Sequence, residues 1–231
     1  MKDIQDITAE LRKNFEGDIF DDHSRRLQYA TDASAYREEP MLVTRPKHVS
    51  DIRELILLAG KHNLPVIPRT AGTSLAGQVV GAGIVVDVSK HFTNIIEVNK
   101  KERWVKVQPG VVRDDLNVYL EPFGLYFGPE TSTANRAMIG GMVGNNSCGS
   151  NSVVYGSTRE HVLSLKVLLS DGSEVEFSEI DKEQFEQKLQ SPNTIEQKIY
   201  DEIHKLLVNP ENQQAIQSDF PKVQIPRRNT G

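Results

Sequence analysis

The chain has 231 residues with 27 Lys and Arg against 32 Asp and Glu, a net charge of −5, and this acidic balance excludes a broad nucleic-acid footprint. At 38% hydrophobic and 26% charged it reads as a soluble globular chain that can bury about three-quarters of its unfolded surface. The longest apolar run, residues 55–59, is far shorter than the roughly 20 residues that span a bilayer; the N-terminus lacks an apolar signal core, and a lone Cys148 forbids an internal disulfide and cannot alone hold zinc or an iron–sulfur cluster. The expectation is a soluble, intracellular protein that handles a small molecule.

Residues 1–40 are polar, with a weak helical pattern at Ile4, Ile7 and Leu11. Residues 41–44 read as a short strand closed by Arg45 and Pro46. Ser50 is expected to cap a helix whose first turn carries Asp51 and Glu54. Its apolar positions Ile52, Leu55, Ile56 and Ala59 share one face, and Gly60 with Asn63 end it. Short strands are predicted at 64–68, 84–88, 95–98 and 103–108, the last with Val105 and Val107 alternating with polar neighbours. Pro109 and Gly110 turn the chain into a helix carrying Val112, Leu116 and Leu120. Residues 161–169 and 174–177 flank Asp171 and Gly172, a hairpin signal. Thr194 and Gln197 form a capping box before Ile195, Ile199, Ile203 and Leu206, and Pro210 opens one more helix. The closing residues Arg227, Arg228, Asn229, Thr230 and Gly231 read as a cut end. With an explicit hairpin and no strict alternation of strand and helix, the class expected is α+β, not a doubly wound sheet.

Two segments invite chemistry. The first lies between strands and comprises Pro68, Arg69, Thr70, Ala71, Gly72, Thr73 and Ser74, running on to Gly77. Successive amides in such a loop form a concavity suited to an anion. The three hydroxyls add donors and Arg69 adds fixed charge. No Gly-Lys-Ser/Thr and no Gly-x-Gly-x-x-Gly after a strand is present, which excludes a P-loop and makes a Rossmann site an unsuitable reading. The second segment runs from Phe127 to Gly156. Its Gly140, Gly141 and Gly144 would each weaken a helix by about 1 kcal/mol relative to Ala, which suits close approach of a flat ligand or another backbone. Asn145, Asn146 and Ser147 offer groups that pair with a heterocyclic edge. Taken singly, the first segment reads more readily as an ordinary surface loop between strands, and the second reads equally well as a tightly packed Gly-rich turn. The six histidines show no metal-type spacing.

Taken together and in order, the motifs resemble the flavin-binding domain of the vanillyl-alcohol oxidase and p-cresol methylhydroxylase type, and within it the D-2-hydroxyacid dehydrogenases: glycolate oxidase flavin subunit, D-lactate and D-2-hydroxyglutarate dehydrogenases. The resemblance covers about residues 30–178. It rests on Asp32, Tyr36, Arg37 and Pro40, on the 65–75 loop, on Val107-Gln-Pro-Gly-Val, on Gly128-Pro-Glu-Thr-Ser, on Ile139-Gly-Gly-Met with Asn145-Asn-Ser, on Tyr155-Gly156, on His161-Val162 and on Val167 to Gly172. It implies a two-subdomain FAD-binding fold, with a lead segment at 1–40, a first subdomain at 41–108 and a second at 109–231, as the N-terminal fragment of a longer chain. It implies that Pro68 and the Arg69 to Ser74 loop wrap the FAD diphosphate. Pro129, Glu130, Thr131, Ser132, Thr133, Ile139, Gly140, Gly141, Asn145, Asn146, Ser147 and Gly149 would line the ribityl chain and isoalloxazine, with Pro109, Gly110 and Gly156 as further contacts. Thr73 stands where covalently flavinylated relatives carry His, so dissociable FAD is expected, and Cys148 is expected to pack beside the ring without bonding to it. The implied reaction passes hydride from a small D-2-hydroxyacid to flavin N5 and then electrons to an iron–sulfur domain or quinone chain. The catalytic base is expected outside these residues, and the location cytoplasmic or peripheral at the inner membrane. The competing readings are a non-catalytic flavin-binding module and a UDP-N-acetylenolpyruvoylglucosamine reductase-like flavoenzyme.

Overall fold

A computed structural model describes residues 4–190, 193–222 and 224–225. The chain divides into two compact units, one spanning residues 1–160 and the other beginning at His161. The cut-like closing segment from Arg227 lies outside the described residues.

The first unit opens with helix α1 (Ile4–Leu11), strand β1 (Asp18–Phe20) and helix α2 (His23–Gln28), followed by β2 (Leu42–Arg45), α3 (Val49–His62), β3 (Val66–Arg69) and β4 (Ile84–Asp87). The four strands form one sheet in the order β1-β2-β4-β3. β2, β4 and β3 run parallel, with Val43 opposite Val85 and Ile67 opposite Val85, while β1 is antiparallel to β2. Alternate side chains of the buried strands serve two cores. Leu42, Ile84 and Val86 pack with Leu55, Leu58 and Ala59 of α3 and with Ile7 and Leu11 of α1. Val43 and Val85 face the other way, against Tyr29. Thus β2–α3–β3 is a parallel crossover, more α/β-like locally than the sequence suggests, while the whole mixes helix, parallel sheet and hairpins. Parallel neighbours need a long return connection. Between β3 and β4 that return is not a helix but the glycine-containing loop at 70–83.

Helix α3 starts at Val49, with His48 in the cap position, not after Ser50. Asp51 explains the shift. Its buried carboxylate accepts the amides of Lys47 at 2.8 Å, His48 at 3.2 Å and Glu16 at 2.9 Å, so the helix is capped from within its own first turn. Gly60 lies inside the helix, and Asn63 ends it in the left-handed region at φ 53°.

Beyond the sheet come the antiparallel pair β5 (Ile95–Asn99) and β6 (Trp104–Val107), then α4 (Arg113–Leu120), α5 (Ile139–Gly144) and α6 (Ser152–Tyr155). Val111, Leu116 and Leu120 form a third core with Val98, Val105, Phe127 and Ile139.

The second unit pairs β7 (Ser164–Leu168) with β8 (Glu174–Ser178) as the expected hairpin, its turn held by Asp171 and by Gly172 at φ 78°. Helices α7 (Lys182–Gln190), α8 (Ile195–Val208) and α9 (Pro210–Asp219) follow. Thr194 caps α8 by accepting the amide of Gln197 at 3.1 Å, but the Gln197 side chain donates to the Leu189 carbonyl at 3.3 Å and leaves the expected box half made; Pro210 opens α9 as the sequence indicates, with Asn209 as its cap. Rings of Phe185 and Tyr200 meet edge-on at 5.7 Å, but none of the three helices buries a residue fully.

Candidate functional site

All the candidate residues fall in the first unit. Pro68 and Arg69 end β3, and Thr70, Ala71, Gly72, Thr73 and Ser74 begin the return loop at the carboxyl ends of the parallel strands, where open parallel sheets place their ligands. Among the described residues, no amide from 71 to 75 has a hydrogen-bond acceptor, although residues 71–74 are half-buried. Half-buried amides are ordinarily paired, because an orphan costs about 1–3 kcal/mol. A run of them is therefore a row of donors suited to an anion's oxygens.

The Arg69 side chain does not extend over this loop. Its guanidinium lies beneath, donating to the carbonyl oxygens of Tyr29 at 3.2 Å and Thr31 at 2.9 Å and stacking on the Tyr29 ring. Gly72, at φ +65°, passes so close above that a Cβ would come within 2.6 Å of Arg69 Nη2. Burial lowers the Arg69 pKa, against the pull of Tyr29, Asp87 and Asp32. Below it, Tyr29 Oη donates to Asp87 Oδ2 at 2.6 Å and Arg45 Nη2 donates to Tyr29 Oη at 2.7 Å. Burial first, then the hydrogen bond to Asp87, raises the Tyr29 pKa. The loop thus rests on a buried polar base.

Several segments converge on α5. A Cβ at Gly141 would strike Thr70 Oγ1, and one at Gly140 would strike Pro109, whose carbonyl accepts the Gly140 amide at 2.8 Å. Gly140 is therefore required by the protein's own packing, and Gly141 is crowded by the Thr70 hydroxyl. Gly144 is different: a Cβ there would meet nothing within 4 Å. Gln78 Nε2 donates to Asn145 Oδ1 at 2.9 Å, and Asn145 Nδ2 to Ser147 Oγ at 3.0 Å, tying the return loop to the end of α5. Asn146 sits at φ 46° with Oδ1 accepting the Arg159 amide at 3.0 Å, while its Nδ2 is buried without a partner among the described residues. The Ser147 carbonyl accepts from Thr158 Oγ1 at 2.7 Å.

Pro129, Glu130, Thr131, Ser132 and Thr133 form a loop before α5. Gly149 lies against the Glu130 carbonyl with no room for a Cβ, and Asn151 Nδ2 donates to Glu130 Oε2 at 2.6 Å. Ser132 is exposed; Thr131 Oγ1 is buried and unpartnered among the described residues. Ile139 occupies the first turn of α5 and donates its amide to Val111. Gly110 and Gly156 stand apart from this convergence: Gly110 packs on the carbonyls of Val88 and Phe92, and Gly156, at φ +71°, lies over Glu160.

Sequence reasoning missed Gln78, Arg113, Asn117 and Asn151. Gln78 directly follows the glycine segment and Asn151 lies within the second segment, and those positions were their available signals; Arg113 and Asn117 lie outside both segments and are found only through their partners.

These features fit FAD. Unpaired amides suit a diphosphate, the orphaned Thr131 Oγ1 and Asn146 Nδ2 suit polar flavin groups, and open space lies above Gly144. Among solved structures the chain is similar to an alkyldihydroxyacetonephosphate synthase, with TM-score 0.68 and 21% identity over 79% of this chain and 36% of that one. It is also similar to p-cresol methylhydroxylase, with TM-score 0.63 and 16% identity over 75% of this chain and 34% of that one. At these identities the likeness shows the fold. Curated relatives include D-2-hydroxyglutarate dehydrogenases of Haemophilus influenzae, 45% identical over 73% of this chain, and Pseudomonas putida, 38% identical over 94%. The glycolate oxidase subunit GlcD of Bacillus subtilis is 32% identical over 73% of this chain and 36% of its own length. The chain spans 17% and 22% of the two dehydrogenases. Residues 40–178 match the FAD binding domain family. The chain belongs to that family, in its p-cresol methylhydroxylase-type α+β fold, with FAD as cofactor.

Proposed function

We propose that this chain is the FAD-holding part of a flavin-dependent dehydrogenase that oxidises a small D-2-hydroxyacid of the 2-hydroxyglutarate, lactate or glycolate type. The observation that carries the reading is the run of unpaired amides at 71–75, half-buried from 71 to 74, and the names of the relatives support the substrate class. When bound, FAD supplies the two-electron acceptor for the hydrogen on the carbon bearing the substrate hydroxyl. The amides of residues 71–75 and the hydroxyls of Thr73 and Ser74 hold the diphosphate, with Arg69 fixing the loop from below. Thr131, Asn146 and the surface over Gly144 take the ribityl and ring portion. Thr73 leaves the cofactor dissociable. No described residue is assigned as the base that removes the substrate's hydroxyl proton. Electrons leave to an iron–sulfur or quinone acceptor, and the enzyme works in the cytoplasm or at the inner membrane face. The subdomain boundary after Gln108 belongs to the same reading.

The test is the visible absorption spectrum of the purified chain, before and after FAD addition and desalting. A retained oxidised-flavin spectrum is expected, with release on denaturation showing that the link is not covalent. No flavin at saturating FAD overturns the reading. Dye reduction by D-2-hydroxyacids in a protein of the relatives' full length then tests the substrate class, and NADPH oxidation there would favour a reductase instead.

A further inference from the structure

The loop from Tyr126 to Ala137 is held at both ends by the first turns of α4, while Asn151 grips its middle at Glu130. Arg113 is buried, and its guanidinium reaches three points on the loop: Nε donates to the Pro129 carbonyl at 3.1 Å, and Nη2 donates to Tyr126 Oη at 2.6 Å and the Phe127 carbonyl at 3.3 Å. Nη1 donates to Asp114 at 2.9 Å. Burial disfavours its charge, but the bonds to Asp114 and Tyr126 outweigh this and raise its pKa. Asn117, one turn on and on the same helix face, grips Phe127 at both backbone groups, accepting its amide at 2.7 Å and donating to its carbonyl at 3.2 Å. The far end of the loop is tied to the same turn, where the Arg113 amide donates to the Ala137 carbonyl at 2.9 Å and the Asp114 amide to the Ala134 carbonyl at 3.3 Å. Between these ties lies Thr131, whose buried hydroxyl has no partner among the described residues.

We propose that Arg113 and Asn117 are positioning residues that set this loop, and with it Thr131, against the flavin half of the cofactor. The proposal rests on the FAD reading above. A planar fork meeting several acceptors at once has a specificity that lysine cannot reproduce, and a bidentate amide grip on one residue fixes register. Neither side chain need touch the cofactor. Their effect therefore falls on the portion of FAD that the loop meets, not on the diphosphate, which the separate 71–75 loop holds.

The experiment compares Arg113→Lys and Asn117→Ala with the unaltered chain, using FAD, riboflavin and ADP-ribose as probes alongside thermal unfolding. Both variants are expected to weaken FAD and riboflavin by about tenfold or more while ADP-ribose changes by less than about twofold, as displacement of a contact by about 1 Å can cost still more. If Arg113→Lys does not fold, Asn117→Ala decides the matter alone. Unchanged riboflavin affinity overturns the proposal. So does parallel loss of all three ligands with a falling Tm, which would mark general stabilisation. If the unaltered chain binds neither FAD nor riboflavin, the FAD reading fails first and takes this one with it.

Discussion

Gly141 and Gly144 sit one turn apart on α5 yet call for opposite outcomes. An alanine at 141 would strike Thr70 Oγ1, and overpacking of this kind costs about 1–3 kcal/mol; Thr70→Ala in the same chain should restore most of it in denaturant unfolding. Gly144→Ala meets open space, so in the absence of FAD it should stabilise by up to about 1 kcal/mol through helix propensity. If the flavin lies there, the same change should weaken FAD binding, measured by flavin fluorescence. Glu160 offers a pH-dependent case. Its carboxylate accepts the backbone amide of Ser157 and, at 2.8 Å, the Ser157 hydroxyl, and these bonds lower its pKa below the ordinary 4.5. The stabilisation is complete above 4.5 and is lost as pH falls through the depressed folded value. Glu160→Gln should flatten that part of the acid-stability profile. The Gly141 contact was not legible in the sequence, because its partner, Thr70, lies 71 positions away.

At the level of elements, periodicity carried more. The alternation in β6 and the start of α8 and α9 follow from spacing of a few residues, and so does the face of α3 at Ile52, Leu55 and Ala59, although Leu58 and not Ile56 completes its core. The start of α3 did not, since Asp51 reaches back to amides on both its own segment and Glu16. Asp51→Ala should cost about 2–4 kcal/mol in urea unfolding, because each orphaned buried amide costs about 1–3 kcal/mol and water recovers part of it. Leu55→Ala, at a fully buried position on the same helix, should cost about 2–5 kcal/mol. The parallel order β2-β4-β3 was hidden for a different reason. A strand inserted between two others leaves no local mark, and the sequence showed the site loop lying between strands without showing that those strands run parallel.

On the scale of the whole molecule, the two units differ in how much they bury. The sheet unit has strands and a helix with side chains near zero exposure, whereas the helices of the second unit bury none fully, and Ile203, Leu206 and Leu207 are about half exposed. Stability follows burial. Hydrogen–deuterium exchange should therefore be fast in α7, α8 and α9 and slow in β2 and β4; equal protection would contradict this. The 71–75 loop has another implication. Its donors are main-chain groups that every residue except proline supplies, so side-chain truncation there removes hydroxyls but leaves the amides in place. Outside Gly72, where even a Cβ is strained and meets Arg69, alanine scanning would pass over the loop's central feature. Only edits that bend or delete the main chain, such as proline within it or a bulky residue at Gly72, can reveal it. Conservation of individual letters at this place is thus a poor measure of whether the grip on the diphosphate persists.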